Sequence, residues 1–84
     1  MNNEDSFKDW LPHNGVHGNS IRSYVSYLAS LEKALGVSVD KLLKPGLENA
    51  LERINSRQIP GRPENTIRRY KTAVKKYSMF LNAT

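Results

Sequence analysis

The sequence predicts an all-α fold, a compact bundle of four to five helices, and three observations carry that expectation. Apolar residues recur at steps of three and four along most of the chain, with no strand-like pattern to set against them. Glycines and prolines fall between these periodic segments, at Pro12, Gly15, Gly18, Gly36, Pro45-Gly46 and Pro60-Gly61. The third observation is internal self-similarity: Asn19-Ser20-Ile21-Arg22-Ser23-Tyr24 returns 46 residues later (65 − 19 = 46) as Asn65-Thr66-Ile67-Arg68-Arg69-Tyr70, with Leu28 aligned on Val74 and Leu35 on Leu81. Two copies are too few for a stacked solenoid, so they read as two equivalent helices around one small core.

The elements follow in order. Phe7, Trp10 and Leu11 predict a short amphipathic helix over Ser6 to Leu11, ended by Pro12 and a turn-rich connection through Gly18. A second helix runs from about Asn19 to Leu35, with Ile21, Tyr24, Leu28, Leu31 and Leu35 on one stripe and Gly36 as its C-terminal cap. A short polar residue is expected to cap the first turn of this helix and of its repeat. Ser38 is placed to cap a short third helix with Asp40 in its first turn and Val39, Leu42 and Leu43 apolar. Pro45-Gly46 breaks it, and Leu47 to about Ser56 forms a fourth helix burying Leu47, Ala50, Leu51 and Ile54. After a loop from Asn55 to Arg62, the last helix starts near Pro63 and carries Ile67, Tyr70, Val74, Tyr77 and Leu81 inward. The two short helices depend on packing, and the long ones frame the bundle.

At 84 residues and 9.5 kDa the chain reads as a single domain over residues 1–84. It contains no cysteine, which points to a reducing compartment and removes disulfides and thiolate metal sites. No apolar run is long enough for a membrane span, and the acidic start is unlike a secretory signal, so the expectation is a soluble, cytoplasmic protein with no membrane partner.

The net charge of +5 is unevenly shared. Residues 1–52 hold five basic groups against seven acidic ones, or −2, whereas residues 53–84 hold eight against Glu64 alone, or +7. A segment this basic reads either as a solvated helix face that keeps the protein soluble or as the site of a polyanionic partner, and the arginines of the loop before the last helix favour the partner. Arg68, Lys71 and Lys75 lie at i, i+3 and i+7 on the last helix, with Arg69, Thr72 and Lys76 in an adjacent row. Such a surface suits a phosphate backbone or a major groove. In the preceding loop Arg57, Gln58 and Arg62 are placed to reach a groove, and Gln58 is the side chain there able to pair bidentately with adenine.

The outer face of the second helix is also unusual. Ser20, Ser23, Ser26 and Ser30 follow at steps of three, three and four, flanked by Arg22 and Lys33. Serine is disfavoured inside helices, so the stripe reads either as a neutral solvent face or as a functional one, suited to close approach to a partner or donation to phosphate, with Arg22, Ser23 and Ser26 as a secondary surface. Tyr24, Tyr70 and Tyr77 fall on apolar stripes and read as core, while Tyr27 lies at a stripe edge. His13 and His17 have a metal-pair spacing, and His13-Asn14-Gly15 is faintly similar to a nuclease finger, but they sit in a loop without further ligands or the strands such a finger requires. No phosphate-binding glycine loop, nucleophile elbow or carboxylate pair is present, so neither an enzyme, a cofactor nor a small-molecule substrate is expected.

The stretch Asn65-Thr66-Ile67-Arg68-Arg69-Tyr70, followed by Ala73-Val74-Lys75-Lys76-Tyr77-Ser78-Met79-Phe80-Leu81, resembles the SAM-like core-binding domains, the N-terminal DNA-clamping domains of phage integrases and other tyrosine recombinases. A similar layout, two such helices flanking a short segment like Asp40-Lys41-Leu42, occurs in N-terminal regions of some restriction-type endonucleases. The resemblance covers about Phe7 to Leu81 and rests on helix starts and core positions. It implies a helical module that grips duplex DNA while a separate catalytic domain of the same parent chain performs chemistry, with Thr66, Arg68, Arg69 and Lys71 near the DNA and Tyr70, Val74 and Phe80 in the core. The recombinase catalytic residues have no counterpart here, and no tyrosine of this chain takes the nucleophile's role. The alternative expectation is a protein–protein or oligomerisation module of a small phage or bacterial regulator, docking through the serine-rich helix. RNA binding ranks below both, because the aromatic strand motif of the common RNA-reading sheet is missing.

Overall fold

Helix formation begins at Glu4 rather than Ser6, because the backbone carbonyl of Asn3 already accepts the Phe7 N–H at 2.9 Å. The computed structural model describes residues 3–54, 59 and 61–83. Its elements are α1 (Glu4–Trp10), a 3-10 turn (Leu11–Asn14), α2 (Asn19–Leu35), α3 (Val39–Leu42), α4 (Leu47–Arg53) and α5 (Glu64–Ala83). Among the described residues there is no strand, as the periodicity requires.

The α-helix ends just before Pro12 as expected, at Trp10. Pro12 occupies an early position of the 3-10 turn that follows, where a missing N–H costs little, and the turn closes on Gly15 at φ 84°. The expected polar caps of the repeat are displaced. Gly18 stands at the N-cap of α2, Asn19 is already helical, and no side chain closes that end. At α5 the Pro63 carbonyl accepts the Thr66 and Ile67 N–H groups, so Pro63 lies just outside the helix and Asn65 inside it.

The remaining terminators act as the sequence predicts. Gly36 is left-handed at φ 72° and returns its N–H to the Glu32 carbonyl. Ser38 accepts the Lys41 N–H through its side chain at 3.2 Å. One feature was not foreseen: the Glu32 carboxylate accepts the Val39 N–H at 2.8 Å, so a side chain of α2 also satisfies the start of α3. Helix α4 ends at Arg53, and the expected extension to Ser56 falls outside the described residues.

α5 contributes Ile67, Tyr70, Ala73, Val74, Tyr77 and Phe80 to the core, and α2 contributes Leu28 and Leu31. α1 closes one end: the Phe7 ring meets Tyr77 edge-on at 5.1 Å and Phe80 at 5.5 Å. Apolar residues alone make up the buried set among the described residues. Leu47 and Leu51 of α4, and Tyr24 of α2, are half-buried and pack at the core's margin instead of within it. Cα atoms give a radius of gyration of 12.1 Å, close to the value of about 12 Å for a compact chain of this length.

α2 packs against α5: Ser30 lies against Tyr70, Tyr27 against Tyr70 and Arg69, and Ser20 and Ser23 share a groove with Thr72.

Candidate functional site

The buried stripe of α5 leaves its opposite face to solvent, and Arg68, Thr72 and Lys75 are exposed there together with Met79, which is 53% exposed. Lys71 and Lys76 are half-buried on the two flanks of this face. Partial burial of this kind is common for lysine, whose apolar stem covers neighbouring surface while its charged end stays in water. Among the described residues none of Arg68, Lys71, Lys75 and Lys76 pairs with a carboxylate; the ion pair found there is Lys8 with Glu4, 3.4 Å apart on α1. The cationic rows expected on this helix are therefore uncompensated along the whole of its exposed face.

Arg69 behaves differently from its neighbours. Its Nη1 donates to the Tyr27 hydroxyl at 2.8 Å, and its guanidinium lies 5.9 Å from the centroid of the Tyr27 ring. The Tyr27 ring in turn meets Tyr70 edge-on at 6.4 Å. The arginine is thus held against α2, whereas Arg68 and Lys75 project from α5 alone.

The serine stripe divides by depth. Ser30 is half-buried, its Oγ 2.7 Å from the Tyr70 hydroxyl, and it satisfies a phenol that is 1% exposed. Close approach to a helix, one of the two readings of that stripe, is realised within the molecule at Ser30, with α5 as the partner. Ser20, Ser23 and Ser26 remain exposed. Ser23 donates back to the Asn19 carbonyl at 3.2 Å.

Of the residues singled out by sequence, Arg22, Ser23, Ser26 and Arg69 are brought to one side of the α2–α5 seam, around Tyr27. Arg68, Lys71, Lys75 and Lys76 share α5, with Thr66 half-buried in its first turn and Arg62 exposed just before it. Arg57 and Gln58 lie outside the described residues. Sequence reasoning left Tyr27 open and did not single out Ser20 or Thr72 for the seam. Their positions depend on the register of two helices far apart in sequence; the one available signal was Tyr27 at a stripe edge.

The metal-pair spacing of His13 and His17 brings no further ligand with it, and both side chains are exposed. Among the described residues no group of three His, Cys, Asp or Glu side chains is placed to hold a metal ion, and no helix is long and apolar enough to cross a membrane.

Fold and surface together define a class: a small all-helical bundle whose last helix carries an unpaired cationic face. Comparison with protein-family models, curated protein sequences and solved structures finds no match for this chain.

Proposed function

We propose that this chain is a non-catalytic DNA-binding module that grips duplex phosphates through α5 and the loop before it. One observation carries the reading: seven net positive charges fall within residues 53–84, and the described cations of α5 face solvent without a carboxylate partner. A folded helix that concentrates charge in this way has self-repulsion which a polyanion relieves, and each phosphate it neutralises releases counterions. Arg68, Lys71 and Lys75 make the central contacts in this reading. Arg62 and Thr66 flank the start of the helix, Lys76 extends its other edge, and Arg57 and Gln58 belong to the loop segment that would enter a groove. The proposal extends to the SAM-like core-binding type and to a parent integrase, recombinase or restriction-type nuclease, on the helix starts and core positions quoted above.

The experiment is fluorescence anisotropy of a labelled duplex at two salt concentrations, with wild type and with Arg68, Lys71 and Lys75 all replaced by Ala. Wild-type binding is expected to weaken steeply with salt. The triple variant is expected to bind more weakly across unrelated sequences, with a salt slope smaller by up to about three, roughly one per lost phosphate contact. Unchanged affinity in the triple variant would remove α5 as the contact surface. Absence of wild-type binding at low salt, joined to salt-insensitive self-association, would favour the docking module instead.

A further inference from the structure

Where α2 meets α5, Tyr27 and Arg69 pair across the seam, and a groove of about 240 Å³ opens beside them, lined by Ser20, Ser23, Tyr24, Tyr27, Arg69 and Thr72. A second hollow of about 290 Å³ shares Ser23 and Tyr27 with it and continues to Arg22 and Ser26. Each hollow holds a single arginine, and Tyr27 forms the ridge between them.

The hydrogen bonds decide which ligand chemistry fits. Ser23 and Thr72 have committed their hydroxyl protons to the carbonyls of Asn19 and Arg68. Tyr27 accepts from Arg69 and so retains its own proton for donation. The guanidinium uses one N–H on Tyr27 and keeps the others. Positive charge and free donors meet in one place, and accepting a bond strengthens the Tyr27 hydroxyl as a donor. The complementary group is a compact anion with several acceptor oxygens. Tyr27 also fixes the arginine before any ligand arrives, which lowers the entropy lost on binding.

We propose that the α2–α5 groove is a phosphate subsite, in which Arg69, positioned by Tyr27, binds one phosphate of a nucleic-acid backbone and Arg22, across the Tyr27 ridge, meets a neighbouring phosphate. This rests on the DNA-binding reading but uses other cations, on a surface that adjoins the Arg68, Lys71 and Lys75 face at Thr72. Tyr27 is a positioning residue, and Arg69 is the contact.

Two neutral tests address it. Tyr27→Phe removes no charge, and Arg69→Lys keeps the charge while losing the planar fork. Both variants are first checked for a wild-type helical spectrum and thermal transition, then titrated with a labelled duplex by anisotropy. Each is expected to lose about three- to tenfold in affinity, the worth of one or two hydrogen bonds, with Tyr27→Phe leaving the salt slope unchanged. Wild-type affinity in both variants, alongside a loss in the Arg68, Lys71 and Lys75 variant, would overturn the subsite and leave the DNA-binding reading standing. If wild type itself does not bind the duplex, inorganic phosphate and a mononucleotide are titrated against isotope-labelled protein while the Arg69 side-chain N–H signal is followed. A saturable shift lost in Tyr27→Phe would support the subsite with a free phosphate as its source; no shift would overturn it.

Discussion

Burial lifts the Tyr77 hydroxyl well above its ordinary range, and its 2.6 Å hydrogen bond to the Asp40 carboxylate lifts it further. The folded protein therefore holds the Tyr77 proton at pH values where an unfolded chain, with a tyrosine pKa of about 10, releases it. Stability from this group is complete below about pH 10 and falls as pH rises above it, because the native state then binds more protons than the unfolded one. Urea unfolding of wild type and Tyr77→Phe between neutral and strongly alkaline pH checks this. The variant is expected to be less stable at neutral pH by about 1–3 kcal/mol, through loss of a bond to a charged acceptor, and to show a shallower alkaline decline. Parallel declines would show that Tyr77 ionises freely in the folded state. A second pair is testable in the same way: Ser30→Ala strands the buried Tyr70 hydroxyl, and a double-mutant cycle with Tyr70→Phe is expected to give a coupling of about 0.5–1.5 kcal/mol. That Tyr70 and Tyr77 are core was legible from their spacing, since both fall on the apolar stripe of α5. Their hydroxyl partners were not, because Ser30 and Asp40 lie 40 and 37 positions away and meet them through helix register alone.

At the scale of the element, sequence chemistry located breaks better than caps. Gly36 and Ser38 were legible because each satisfies a local requirement, a left-handed residue in one case and a side-chain acceptor in the other. No heavy atom lies within 4 Å of where a Gly36 side chain would begin, so the cost of Gly36→Ala is conformational, without a clash. Thermal unfolding is expected to register a loss of about 1 kcal/mol, and a neutral result would mean that the helix end relaxes out of the left-handed region. The start of α2 misled because Asn19 has the right chemistry for a cap, yet Gly18, at φ 61° and ψ −133°, brings the chain in one residue earlier. Pro12 was legible as a break: α1 stops at Trp10, and the 3-10 turn from Leu11 accommodates the proline because its second residue needs no N–H. The serine stripe shows the limit of reading a face from one helix. Composition identified an unusual surface, but only the packing of α5 separated Ser30, which is drawn into the seam, from Ser20, Ser23 and Ser26, which remain open.

For the whole molecule, the division of charge into −2 over residues 1–52 and +7 over residues 53–84 has a consequence for stability as well as for binding. The cations of α5 sit three and four residues apart, Arg68 with Lys71 and Lys71 with Lys75, and each such like-charge pair destabilises a helix by about 0.2–0.5 kcal/mol at low salt. Among the described residues no carboxylate pairs with any of them. The aligned positions of α2, Arg22, Val25 and Ala29, hold a single charge between them, so the strain belongs to the second copy of the repeat alone. Screening acts over about 10 Å at 0.1 M salt and about 3 Å at 1 M, so sodium chloride should relieve much of this repulsion. Urea midpoints are expected to rise from low to high sodium chloride by the equivalent of up to about 1 kcal/mol, and the rise is expected to shrink when Lys71 is replaced by Gln, which interrupts both pairs. A duplex should stabilise the protein further at low salt, by an amount that grows with its concentration and fades as salt is added, because binding to the native state shifts the folding equilibrium. The opposite slope, stability falling as salt rises, would mean that attractive charge contacts outweigh repulsion on this face. In that case the unpaired cations of α5 would cost the fold nothing, and the link drawn here between its electrostatic strain and a polyanionic partner would fail.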